Sequence, residues 1–121
     1  MIGVGLDVVD IERFRTAITR TPGLVPRLLT PAERAYCEQA RDPTERYAVR
    51  FAAKEAVMKA LGVGLGAFDW HHVEVVRAPS GQPSLVLTEK AAALAEEQGV
   101  TQWHLSLSHS GTVAEAIAIA E

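Results

Sequence analysis

The chain lacks most of the features that mark an exported, membrane-bound or nucleic-acid-binding protein. It has one cysteine, Cys37, in 121 residues, so no internal disulfide can form and a reducing, cytoplasmic setting is expected. No apolar run reaches the roughly 18 residues that suggest a membrane-spanning helix. Met1 to Asp10 has no basic segment followed by an apolar stretch and a cleavage site, and does not read as a signal peptide. There is no low-complexity tract and no repeat of solenoid length. A net charge of −3 argues against general nucleic-acid affinity. Gly-x-Ser-x-Gly is missing, which disfavours a serine hydrolase. Cys37 sits in a helical pattern with no base beside it in sequence, and reads as a packed thiol.

What is present suits one folded domain spanning residues 1–121: 48% of the residues are apolar, enough for a modest core. Charge is uneven. Residues 1–60 carry ten Lys/Arg against eight Asp/Glu, and residues 61–121 carry two against seven. The first half is therefore net basic and suits an acidic ligand or partner, unless its charges are simply solvated helix faces.

Ile2, Val4, Leu6 and Val8 alternate with Gly3, Gly5, Asp7 and Val9, which predicts a strand with its apolar face inward and an open glycine-aspartate face. Asp10 caps a helix to about Thr19, with Ile11, Phe14 and Ile18 as its apolar stripe. Thr30-Pro31-Ala32-Glu33 combines an N-cap, a proline at the first helical position and a capping-box glutamate. This second helix is expected to stop before Asp42-Pro43. Thr44 to Leu61, rich in alanine, is the strongest helix, and Gly62 suits its left-handed cap. Strands are expected at His72 to Arg77, Ser84 to Leu87, Trp103 to His109 and Val113 to Ala120, with a helix from Thr88 closed by Gly99. Strands and helices mix without a regular βαβ rhythm, so the fold class is α+β, an antiparallel sheet packed against helices.

The polar residues leave several readings open. Glu55 shares a helical face with the small residues Ala48, Ala52 and Gly62 and with Lys59, a face too shallow for ordinary core. Either Glu55 and Lys59 form a surface pair worth about 0.3–0.5 kcal/mol, or the face receives a ligand. Asp7 is a strand-end aspartate or a second carboxylate converging with Glu55. Two such carboxylates without Cys or clustered His suit Mg²⁺ or Mn²⁺, not zinc. Ser108 and His109 point to opposite faces of a strand, which does not suit a nucleophile and its base. His71-His72 reads as a lead-in to a strand, and Gly62, Gly64 and Gly66 read as turn glycines.

Three segments together resemble a known family. These are Gly5-Leu6-Asp7, then Arg50-Phe51-Ala52-Ala53-Lys54-Glu55-Ala56-Val57-Met58-Lys59-Ala60, then Leu107-Ser108-His109-Ser110. They resemble the small trimeric holo-acyl-carrier-protein synthases of the 4′-phosphopantetheinyl transferases, over nearly the whole chain. The resemblance implies transfer of the phosphopantetheine arm of coenzyme A to a serine of an apo acyl carrier protein, in fatty acid or polyketide biosynthesis. It implies Mg²⁺ held by Asp7 and Glu55, with Lys59 on the coenzyme A phosphates and aiding proton transfer. Arg46, Arg50, Gly62, Pro83 and His109 fall where that family contacts coenzyme A. Glu55, acting through a water, is the candidate base. Arg13 and Arg20 resemble the basic positions that receive an acidic carrier helix, and a homotrimer with shared active sites is implied. Val49 and Val63 depart from the glycine and threonine common at those places. A non-catalytic coenzyme A module, a Mg²⁺-dependent pyrophosphatase and a purely structural trimer stand as alternatives, separated by metal dependence and by the need for a carrier.

Overall fold

In the computed structural model, which describes residues 1–121, the chain runs β1 (Gly3–Asp10), α1 (Ile11–Arg20), α2 (Leu24–Leu28), α3 (Pro31–Cys37), α4 (Thr44–Leu61), β2 (Val73–Arg77), β3 (Pro83–Leu87), α5 (Glu89–Glu97), β4 (Trp103–His109) and β5 (Val113–Ala120). A three-stranded antiparallel sheet has the order β1-β5-β4, and β2 pairs with β3 in a second antiparallel ribbon. The α+β class is as expected, with two small sheets in place of one.

Helix α4 organises everything else. It packs across β1 and β5 and also meets α1, α3, β2 and β4. Thirteen of its 18 residues are buried, so it is a central helix rather than one with a single apolar stripe. Its neighbours admit it by being small. Ala114, Ala116, Ala118 and Ala120 of β5 are buried beneath it. A Cβ on Gly5 would lie 1.7 Å from the carbonyl oxygen of Ala56, and one on Gly3 would lie 1.9 Å from that of Ala60. Glycine is therefore required here by close backbone approach. Helix α4 ends where expected, at Gly62, whose φ of 70° is left-handed.

This packing reverses the expected orientation of β1. The strand is present, but Ile2, Val4, Leu6 and Val8 face outward, 42–56% exposed, and the glycine face is the one that packs. The alternating pattern identified the strand correctly. It pointed the wrong face inward because the interior partner is a helix seated too close for any branched side chain. The register places Val4 opposite Ile119 and Leu6 opposite Ile117, so the outer face is apolar where these two strands meet, while Glu115 lies opposite Val8 and β4 adds the exposed His104, Ser106 and Ser108. Ala48 and Ala52 of α4 are likewise fully buried, so the face expected to be too shallow for core is largely core.

Other boundaries moved less. Asp10 caps α1 through the Arg13 N–H at 2.9 Å, and Thr30 and Glu33 form the capping box. Helix α3 ends at Cys37, well before Asp42-Pro43, by unwinding into turns in which Gln39 N–H donates to Tyr36 O and Ala40 N–H to Cys37 O. Helix α2 was not anticipated. Pro26 lies in its first turn, where a missing N–H costs little. His72 belongs to a short 3₁₀ turn, Trp70–His72, capped by Asp69.

A buried ion pair ties α3, α4 and β2 together. Lys54 and Glu33 are both 0% exposed at the side chain, with Nζ to Oε1 at 2.7 Å. Lys54 also donates to the carbonyls of Trp70 and Val73, and Glu33 accepts from the N–H groups of Thr30 and Val75. All three ammonium protons are thus used, the condition under which a buried pair is tolerated. The lysine of the Phe-Ala-Ala-Lys-Glu motif is therefore architectural, while the glutamate beside it faces a cavity.

Candidate active site

That cavity, of about 670 Å³, is lined by Asp7, Glu55 and Arg13, with Phe14, Phe51 and Trp70 among its apolar walls. Asp7 reaches it because it is on the glycine face of β1, over α4. Glu55 reaches it from one of the few α4 positions left uncovered. The two carboxylates expected to converge do so. Burial, and then the charge of Asp7, hold the Glu55 carboxyl above its usual value, against an opposing pull from Lys59. Lys59 does not make the expected surface pair with Glu55. Its ammonium donates to Asp7 Oδ1 at 3.0 Å and to the Leu6 carbonyl at 2.9 Å, on the side of α4 that β1 crosses.

Asp7 and Glu55, in a lining whose third carboxylate, Asp10, caps α1 and which holds no histidine or thiol, suit a hard cation. Mg²⁺ takes one or two carboxylates and completes its shell with water and substrate phosphate. No group of three His, Cys, Asp or Glu gathers anywhere in the chain to suit a softer metal. Asp7 and Glu55 fit the ion that the sequence pattern implied. Lys59, already bound to Asp7, balances part of the charge that the two acids bring together.

A second cavity, of about 290 Å³, is lined by Tyr36, Arg46, Val49, Arg50, Arg77, Pro83, Leu107 and His109. Four predicted contact residues, Arg46, Arg50, Pro83 and His109, therefore meet, although they come from α4, β3 and β4. Arg50 is 1% exposed, and burial lowers its pKa from the ordinary value. His109 Nδ1 lies 3.0 Å from Glu45. The two cavities share no lining residue. The chain alone does not bring Asp7 and Glu55 together with His109 and the arginines.

Of the remaining predicted residues, Gly62 caps α4 and lines neither cavity. Arg13 lines the first, while Arg20 is exposed at the end of α1, outside that lining. The sequence reading missed Arg27, Phe51 and Trp70 of the first cavity and Tyr36 and Arg77 of the second. Arg77 ends a strand and Tyr36 lies within a helix, with no local motif to single out either.

The chain is similar to known proteins over its whole length. The model of the 4′-phosphopantetheinyl transferase superfamily matches residues 3–120. The holo-[acyl-carrier-protein] synthase of Frankia alni is 50% identical over 121 residues, covering 100% of this chain and 98% of that one. Among solved structures, the holo-[acyl-carrier-protein] synthase of Neisseria meningitidis superposes with a TM-score of 0.90 at 33% identity, covering 100% and 99% of the two chains. That of Helicobacter pylori, in complex with coenzyme A, gives 0.86 at 27% identity over 98% and 99%. Matched end to end in sequence and in fold, the chain belongs to the 4′-phosphopantetheinyl transferase superfamily, as an enzyme of the holo-[acyl-carrier-protein] synthase type.

Proposed function

We propose that this enzyme moves the 4′-phosphopantetheine arm of coenzyme A onto a serine of an apo acyl carrier protein, serving fatty acid or polyketide synthesis. The observation that carries this reading is the convergence of Asp7 and Glu55 on one cavity, with Lys59 bound to Asp7 at 3.0 Å.

The serine oxygen attacks the phosphorus that bears pantetheine, and the bond from that phosphorus to adenosine 3′,5′-bisphosphate breaks. Negative charge grows on the departing phosphate as it does so. Asp7 and Glu55 would hold Mg²⁺, which when bound supplies positive charge to the pyrophosphate oxygens. Lys59, which lines neither cavity but is bound to the Leu6 carbonyl and to Asp7, would bring an ammonium to the departing phosphate. The serine proton needs an acceptor because a free hydroxyl is a weak nucleophile. Glu55, lining the same cavity, takes it through a water. Arg50, Arg46, Pro83 and His109 bind the nucleotide end. Arg13, which lines the cavity next to the acids, and Arg20 receive the acidic helix of the carrier, so the carrier's KM rises with salt.

Two facts support a homotrimer with shared sites. The outer face of β1 and β5 is apolar except for Glu115 and uncovered in one chain, with Val4, Leu6 and Val8 47–56% exposed. The acidic and basic halves of the proposed site lie in separate cavities, and a neighbouring subunit would complete each.

The test is the intact mass of an apo carrier incubated with the purified protein, coenzyme A and Mg²⁺. A gain of one phosphopantetheine, lost with EDTA and absent when the acceptor serine is alanine, is expected. Adenosine 3′,5′-bisphosphate released without any carrier would instead mean a pyrophosphatase.

A further inference from the structure

Helix α2 is five residues long, and no side chain caps its start. A helix this short is not stable by itself, yet it supplies Leu24, Arg27 and Leu28 to the cavity that Asp7 and Glu55 line. Its end also leaves a carbonyl without a partner inside the helix. The Thr30 N–H would reach back to the Pro26 carbonyl if the helix continued, but it donates to Glu33 Oε1 at 2.9 Å. His71 fills that place. Its Nε2 lies 2.7 Å from the Pro26 carbonyl oxygen. A carbonyl only accepts, so the bond requires the imidazole proton on Nε2.

The other side of this contact is firmly held. His71 belongs to the 3₁₀ turn Trp70–His72. Its backbone N–H donates to Asp69 Oδ1 at 2.8 Å, and the Trp70 carbonyl accepts from the buried Lys54 ammonium at 3.0 Å. The Trp70 ring packs against Phe51, and Phe51 against Phe14, each pair with centroids 5.4 Å apart. All three rings line the same cavity. The aromatic wall is therefore anchored on α4, and α2 is tied to that anchor by one imidazole. With Arg13, the Arg27 that α2 carries is the only cation in the lining, which suits an acidic carrier.

We propose that His71 is a positioning residue for the carrier protein. It clasps α2 to the Trp70 turn and so keeps that wall of the cavity in the shape met by the carrier segment that bears the acceptor serine. This rests on the transferase reading for the occupant, but not for the clasp itself. The carboxylates stand on β1 and α4, and the nucleotide end of coenzyme A belongs in the other cavity, so neither needs α2. Losing the clasp lowers the share of molecules with α2 seated and weakens carrier binding in proportion.

The experiment compares wild type, His71→Leu and His71→Gln with apo carrier and with coenzyme A as the varied substrate. His71→Leu keeps the bulk and removes the donor. It is expected to raise the KM for the carrier about fivefold, the scale of one net hydrogen bond. The KM for coenzyme A and kcat stay within about twofold. The amide nitrogen in His71→Gln is as many bonds from Cα as Nε2, and this variant restores the carrier KM. In a Trp103→Phe background Trp70 is the one remaining tryptophan. Its emission moves to longer wavelength in His71→Leu and returns in His71→Gln. A carrier KM that stays put in His71→Leu, or equal damage from both variants, overturns the proposal. If His71→Leu does not fold, His71→Asn decides: its amide falls one bond short and gives the same rise, or the clasp is wrong. Nitrogen-15 spectra of the wild-type imidazole should show the Nε2–H tautomer, and the other tautomer overturns the clasp without any variant. A protein that modifies no carrier, yet shows this tautomer and the Trp70 shift, would sink the transferase reading and leave the clasp standing.

Discussion

Glu55→Gln keeps the shape of the side chain and removes its charge, at a position whose carboxyl already resists ionisation through burial and the nearby Asp7. We expect transfer to fall by on the order of 100-fold or more, the scale of losing one electrostatic contact to a developing charge. The thermal midpoint should not fall, because the fold gains nothing from an ionised group there. A near-normal rate by the carrier mass assay removes Glu55 from the chemistry. Two other residues set a pH limit. Burial pushes the Cys37 thiol up to about 11 from 9.0, and burial with the hydrogen bond to Glu38 pushes the Tyr47 hydroxyl up to about 12 from 10.0. Both are acids whose ionised form the fold disfavours. As pH rises the unfolded chain loses these protons first, so it binds fewer than the folded chain and stability falls between about pH 9 and 12. Melting temperatures from pH 8 to 11 should show the decline, and the double substitution Cys37→Ala with Tyr47→Phe should flatten its slope. The identity of these residues was plain in sequence, and Cys37 was rightly expected to be passive. The raised pKa values were not legible, since each depends on neighbours far away in the chain.

At the scale of elements, the interface between α4 and the sheet is built from glycine and alanine. Gly5→Ala places a methyl group against the backbone carbonyl of Ala56. Backbone cannot rotate aside as a side chain can, so about 3 kcal/mol or more of stability should be lost, at the upper end for overpacking. Urea denaturation measures it, and a loss below about 0.5 kcal/mol, ordinary for a surface change, means that the helix does not sit this close. Helix α4 was legible because its alanine content and its terminal Gly62 agree with one another. The orientation of β1 was not. Period two says that alternate residues share a face, but not which face is buried. Local pattern also missed α2, a five-residue helix with Pro26 in its first turn.

At the scale of the whole molecule, the sheet's outer face is the outstanding unpaired feature. Val4 is 47% exposed and opposite Ile119, away from the carboxylates. If neighbouring copies cover this face, Val4→Glu should convert a trimer into monomers by light scattering, with the far-ultraviolet circular dichroism retained and transfer lost. A variant that stays trimeric and active places the interface elsewhere. The sequence by itself determined the α+β class and the central helix with its cap, because propensity and capping are local properties, and its resemblance to a known family singled out Asp7, Glu55, Arg46, Arg50 and His109 as site candidates. Only the tertiary structure decided which face of β1 is buried, that Lys59 binds Asp7 and not Glu55, and that Tyr36 gathers three arginines from two elements. Those outcomes depend on how closely α4 can approach its neighbours, and that distance is set by side chains far apart in the chain.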